Sequence, residues 1–197
     1  GKGNATLPLN MYEESVKVPF IVRHPGHIPA GAVCDALVSA YDFMPTLLDY
    51  LDLKASDHGN RPGMSFAPAL RGEAFNQHEE VVVMDEYGPN RMIRGRRFKY
   101  VTRYPYGPNE LYDLKTDPGE TNNLLRSGGF EDLEQEMRLR LETWFSKYVN
   151  PEIDGAKQAV FRSGQTGLAG LWGKGVSGHS CDDYIKKNPN FAPYRIK

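Results

Sequence analysis

The sequence predicts an α+β fold: a four-stranded antiparallel sheet packed against a long amphipathic helix, following a remnant of α/β architecture. Three observations carry that prediction. Val81–Met84, Arg91–Arg94, Phe98–Val101 and Glu110–Asp113 are short strand-like runs parted by turn residues, the spacing of an antiparallel meander. Residues 130–148 set Leu133, Met137, Leu141, Trp144 and Phe145 along one helical face, the 3.6-residue period of an amphipathic helix. Residues 16–23, Val-Lys-Val-Pro-Phe-Ile-Val-Arg, are β-branched and almost continuously apolar, which suits a strand buried in a parallel or mixed sheet.

The elements follow in order. After the 16–23 strand, Pro25-Gly26 and Pro29-Ala30-Gly31 force turns, and Val33–Val38 offers a second extended piece. Ser39 or Asp42 can cap a helix carrying Phe43, Leu47, Leu48 and Leu51. Pro45 fits its first turn, where no amide donor is lost. Residues 53–78 are looser, with one helical turn at Phe66–Leu70. Gly88-Pro89-Asn90, Gly95-Arg96 and Tyr106-Gly107-Pro108-Asn109 then separate the four strands, and Asp117-Pro118-Gly119-Glu120 makes another turn. The long helix carries acids early and Lys147 late, matching its dipole, and Pro151 ends it. The organisation is therefore residues 1–78 as the end of a larger α/β domain, 79–150 as a small sheet-and-helix subdomain, and 151–197 as an extended surface tail.

Composition bounds the function. The chain has 197 residues, 40% hydrophobic and 25% charged, with a net charge of -1. That balance excludes a nucleic-acid binder working through a general basic field. No apolar run approaches the roughly 20 residues of a membrane span. Cys34 and Cys181 are too few for a disulfide scaffold; they permit one bridge at most, beside the favoured reading of two free thiols. The opening Gly1-Lys2-Gly3-Asn4 has no Met and runs straight into patterned sequence, so the chain is expected to be a piece of a larger protein that begins in mid-domain.

Two blocks of residues resemble a known family. Tyr12-Glu13-Glu14-Ser15-Val16-Lys17-Val18-Pro19-Phe20-Ile21-Val22-Arg23-His24-Pro25-Gly26 is similar to the segment that follows the active-site lysine of sulfatases. Glu110-Leu111-Tyr112-Asp113-Leu114 with Asp117-Pro118-Gly119-Glu120 and Asn123-Leu124 resembles a signature of their C-terminal subdomain. Between them, Val38-Ser39, Asp42, Pro45-Thr46-Leu47-Leu48 and Met92-Ile93-Arg94 with Arg97-Phe98-Lys99-Tyr100 match in the same order. The resemblance covers about residues 1–150. It implies a sulfate-ester hydrolase with a formylglycine nucleophile and a bound calcium ion. Such a centre needs a Cys or Ser in a C/S-x-P-S/T-R motif, whose diol oxygen attacks sulfur while the cation stabilises charge on the sulfuryl oxygens. Cys34 precedes Asp35-Ala36-Leu37 and Cys181 precedes Asp182-Asp183-Tyr184, so neither is that nucleophile. Calcium and formylglycine are expected in a full-length parent, not in this chain, which is expected to be inactive alone.

Lys2 matches the sulfate-binding lysine of the family's Gly-Lys-Gly turn, and an ammonium suits a tetrahedral oxyanion. Asp57-His58-Gly59 and Trp172-Gly173-Lys174-Gly175 mimic family tripeptides but lack their context and are read as loop and tail. His24 and His27 straddle a Pro-Gly turn with no third ligand nearby, so no metal site is expected. His24, at a strand end, remains a candidate substrate contact. Arg91, Arg94, Arg96, Arg97, Lys99 and Arg103 form a basic cluster. Either it is a solvated, ion-paired face, or Arg94, Arg96 and Arg103 on an exposed sheet face grip an anionic sugar, with Tyr104-Pro105-Tyr106 stacking nearby. The expected partner is a sulfated small molecule or carbohydrate, with neither nucleic acid nor membrane, and the parent is expected to be exported to periplasm, lysosome or exterior. Two alternatives stand beside this reading: a phosphate- or phosphonate-ester hydrolase of the same superfamily, or a noncatalytic glycan-binding module.

Overall fold

A computed structural model of the chain describes residues 11–54, 59–84, 90–103 and 108–154. They fall into two units, residues 18–81 and the described parts of Gly1–Lys17 with Val82–Lys197.

The second of these is built on the meander. Strands β1 (Glu80–Met84, crossing the unit boundary), β2 (Asn90–Gly95), β3 (Phe98–Arg103) and β4 (Glu110–Asp113) lie in the order β1-β2-β3-β4. The β2–β3 register pairs Met92 with Val101 and Arg94 with Lys99, and the β3–β4 register pairs Tyr100 with Leu111 and Lys99 with Tyr112. Because side chains alternate across a strand, Ile93, Tyr100 and Leu111 face one side. There they join Val82 and meet Met137, Leu141 and Phe145 of the long helix Glu131–Tyr148. Those three helix residues recur every fourth position and are buried. Leu133 and Trp144 are half-buried at the margin of this core, rather than at its centre. Glu131, Asp132 and Glu134 occupy the first turn of the helix and Lys147 the last, the polarity its dipole favours. The expected strands and helix are all present, within one or two residues of the expected bounds.

Residues 18–81 depart from expectation at two places. The run 16–23 is not a strand: Glu13–Val16 forms a short helix, α1, and residues 17–24 have no regular structure. A strand needs a neighbour for its backbone groups, and no described strand lies beside this run. Val33–Val38 likewise contributes only a single antiparallel bridge, Leu37 to His78. The helix at 43 is as expected. A 3-10 turn, Ala40–Asp42, leads into α2 (Phe43–Tyr50), and the Ser39 amide donates to Asp42 Oδ2 at 2.7 Å. The helical turn is α3 (Ala67–Leu70), and the long helix is then α4. Asp42 is the hub here. Its Oδ1 accepts from the Met64 amide at 2.8 Å and lies 2.8 Å from His78 Nε2, and its carbonyl accepts from Thr46 Oγ1 at 2.6 Å.

Candidate functional site

The basic cluster divides between the two faces of the meander. Strand alternation sends Arg94, Lys99 and Arg103 to the face opposite α4. That face is not open, as the sequence reading expected. Met11, Met92 and Val101 form a small apolar cluster on it, with Val16 packed alongside, so the segment 11–17 lies over these strands. Lys99 is fully buried and Arg103 is 7% exposed.

Each cation on this face meets a carboxylate. Lys99 Nζ lies 2.6 Å from Glu120 Oε1 and 3.2 Å from Glu13 Oε1. Arg94 Nη2 lies 3.1 Å from Glu13 Oε2, and the Glu13 amide donates to Glu120 Oε2 at 2.7 Å. Arg103 Nη1 lies 2.9 Å from Glu110 Oε2 and donates to the Pro108 carbonyl at 3.2 Å. Charges taken from water in this way are tolerable only when paired and hydrogen-bonded. Burial pushes the Glu13 carboxyl up, but the Arg94 hydrogen bond and the Lys99 and Arg94 charges outweigh it and hold the group below its usual range. Burial also raises the Tyr112 hydroxyl, with the Glu110 charge adding to it, and pushes Tyr100 up to about 12.

On the other side of the sheet, Arg91 packs 3.8 Å over the Phe145 ring and pairs with Asp154. Arg96 and Arg97 form the exposed β2–β3 turn. Arg97 Nη2 donates to Asp113 Oδ2 at 2.8 Å. The Arg97 hydrogen bond keeps Asp113 below the usual carboxylate range. Of the arginines singled out for substrate, Arg94 and Arg103 are thus committed to carboxylates and Arg96 stands at the surface. His24 is exposed in residues 18–81, its Nδ1 2.6 Å from the Tyr50 hydroxyl and its ring stacked on His27 at 4.0 Å. Stacked rings do not converge their nitrogens on one ion. Lys2, Tyr104, Pro105, Tyr106 and Trp172–Gly175 lie outside the described residues, as does Cys181; Cys34 is exposed and free.

The carboxylate half of this network escaped the sequence reading. Glu13 and Glu120 sit inside the very blocks that carry the resemblance, and nothing local signals that they meet. The second block turns out to be architectural. Asn123 Oδ1 accepts from the Leu111 and Leu125 amides at 3.1 Å, and its Nδ2 donates to the Asn109 carbonyl at 3.0 Å. Asp117 accepts from the Thr121 and Asn122 amides. Among the described residues no group of three or more His, Cys, Asp or Glu is placed to hold a metal ion. The described residues thus offer no cage for the calcium that the resemblance assigns to a full-length parent.

A meander closed by a helix on one face and by buried ion pairs on the other defines a small α+β subdomain. The family described as N-sulphoglucosamine sulphohydrolase, C-terminal, matches residues 9–147. The chain belongs to the sulfatase family, within the alkaline phosphatase superfamily, and corresponds to its C-terminal region. It is 33% identical over 151 residues to a Delta 4,5-hexuronate-2-O-sulfatase of Bacteroides thetaiotaomicron, covering 72% of this chain and 31% of that protein. It is 28% identical over 163 residues to an N-acetylglucosamine-6-O-sulfatase of the same organism, covering 77% and 29%. A solved protein in complex with its substrate D-glucosamine-2-N,6-O-disulfate shares the fold at a TM-score of 0.51 and 23% identity, over 70% of this chain and 30% of that one. The chain therefore spans about a third of the length of the curated relatives it matches.

Proposed function

We propose that these residues form the C-terminal part of a sulfuric ester hydrolase acting on a sulfated carbohydrate, and turn over no substrate by themselves. The sequence contains no C/S-x-P-S/T-R motif, so formylglycine and calcium belong, in this reading, to the rest of a longer protein. Lys2 would pair with the sulfate, as its place in Gly1-Lys2-Gly3 implies, and His24 remains a substrate contact. Export of the longer protein is part of the proposal; no helix among the described residues is long and apolar enough to cross a membrane.

One observation carries the substrate side. Arg96 is exposed in the β2–β3 turn, next to the Arg97–Asp113 pair, whereas Arg94 is half-buried and Arg103 buried. In this reading the exposed Arg96 is the member of the cluster that meets an anionic sugar. A guanidinium suits sulfate because its planar donors pair with two oxygens at once. In a full-length sulfatase carrying this region, Arg96→Ala should lower kcat/KM for a sulfated disaccharide roughly ten- to a hundredfold, the worth of about 1.5–3 kcal/mol for a charged hydrogen bond. Hydrolysis of a small aryl sulfate, which lacks the second sugar, should be unchanged. Equal losses on both substrates, or none on either, would refute the assignment.

A further inference from the structure

His24 is exposed, yet its ring is held on one face and at one edge. The chain turns back on itself directly after it. The His27 and Ile28 amides donate to the His24 carbonyl at 3.1 and 2.9 Å. Gly26 makes the bend with a left-handed backbone (φ 81), a conformation that glycine adopts without strain. The bend lays His27 on His24, with ring centroids 4.0 Å apart and planes 23° from parallel. From the last residue of α2, half-buried Tyr50 packs edge-on against the His24 ring, with centroids 5.9 Å apart. Its hydroxyl lies 2.6 Å from His24 Nδ1.

Where the proton sits follows from acid–base chemistry. The unprotonated nitrogen of a neutral imidazole is the better acceptor of the pair, because it takes up a proton near pH 6.5 (roughly) and a phenol oxygen does so only in strong acid. The phenolic O–H is correspondingly the better donor. The separation of 2.6 Å agrees: hydroxyl donors sit at about 2.5–3.0 Å from an acceptor oxygen, N–H donors at about 2.7–3.2 Å. Tyr50 therefore donates to Nδ1, and the neutral His24 ring carries its own proton on Nε2. The bond made at one ring nitrogen decides what the other presents. Nε2–H is then the one donor of an exposed ring.

We propose that Tyr50 is a positioning residue for substrate: it fixes the His24 tautomer so that Nε2–H donates to an anionic oxygen, sulfate or carboxylate, of the sugar. His27, stacked on the ring, holds its plane. Anionic oxygens only accept hydrogen bonds, so a ring presenting a bare Nε2 would meet them lone pair to lone pair. The inference rests on the reading of His24 as a substrate contact and is independent of Arg96.

Nitrogen-15 NMR of the 197-residue chain, labelled at histidine, reads the tautomer at pH about 8.5, well above the ordinary histidine range. The His24 signals are assigned by their loss in His24→Ala. They should show Nδ1 unprotonated and Nε2 protonated. Tyr50→Phe, which keeps the ring but lacks the hydroxyl, should move both toward the average of the two tautomers. In a full-length sulfatase carrying this region, His24→Ala and Tyr50→Phe should each raise KM for a sulfated disaccharide and keep kcat. For Tyr50→Phe the rise should be roughly three- to tenfold, the worth of one neutral hydrogen bond. His24→Gln, whose amide supplies an N–H without a tautomer, should lose less than His24→Ala and be indifferent to Tyr50→Phe. A protonated Nδ1 in the parent chain, or a parental KM in Tyr50→Phe, would overturn the role of Tyr50 and leave that of His24 standing. A Tyr50→Phe loss that persists beside His24→Gln would also overturn it, as the mark of a merely structural residue. An unchanged KM in His24→Ala would overturn the substrate reading of His24 and this inference with it.

Discussion

Lys99 Nζ lies 2.6 Å from Glu120 Oε1, with neither side chain exposed. The two residues come from mid-strand β3 and from a tight turn, and Glu120 adopts a left-handed backbone conformation (φ 50) to reach the lysine. A non-glycine residue in that region is held there by its surroundings. Glu13 completes the arrangement from the segment that crosses the sheet, accepting from Lys99 and Arg94 while its amide caps Glu120. The polar face of the meander is therefore sealed by charge pairing.

Lys99→Met should be strongly destabilising. It leaves Glu120 buried without its cation, and breaking one side of a buried pair costs about 3–5 kcal/mol. The urea midpoint of the chain should fall accordingly, and an unchanged midpoint would mean that the cluster is not formed.

Arg94 and Arg96 should separate cleanly. Arg94→Ala removes a half-buried partner of Glu13 and should cost about 1–3 kcal/mol. Arg96→Ala, at an exposed turn, should stay within about 0.5 kcal/mol of the parent. Thermal unfolding of both variants distinguishes the structural arginine from the surface one, and reversed effects would contradict the assignment.

The pH dependence has a definite sign. The folded state lowers the Glu13 pKa from its ordinary 4.5, so this group contributes stability above that range. The contribution disappears as pH falls through the lowered folded value. Urea midpoints followed from pH 6 to about 3 should drop less steeply in Glu13→Gln than in the parent; parallel curves would argue against the ion cluster.

Legibility in the sequence followed distance along the chain. The four strands and α4 were readable because period-2 alternation, turn residues and a 3.6-residue stripe are all local signals. The pairing of Glu13 with Lys99 spans 86 positions and leaves no local trace, so nothing in the sequence tells that the face carrying Arg94 and Arg103 is closed. The run 16–23 failed differently: its composition states the environment it suits, a doubly covered strand, but not whether that environment is present. The tie of His24 to Tyr50 likewise comes only from the fold.

Asn123→Ala should unfold the turn that follows β4. It deprives the buried Leu111 amide of its acceptor and removes two further bonds, a loss of about 1–3 kcal/mol. Gly63→Ala tests residues 18–81 in the same way. A Cβ there would collide with the Tyr41 carbonyl oxygen and stand 2.9 Å from its carbon and 3.1 Å from Pro45 Cγ, and overpacking of this sort costs about 1–3 kcal/mol.

The central proposal is that this chain, the C-terminal part of a sulfatase, turns over no sulfate ester by itself, its sequence having no C/S-x-P-S/T-R motif. The most direct test incubates the purified 197-residue chain with an aryl sulfate and calcium and follows release of the aryl alcohol. The account predicts no turnover above a buffer blank. Turnover that survives repurification and scales with the concentration of this chain would contradict it.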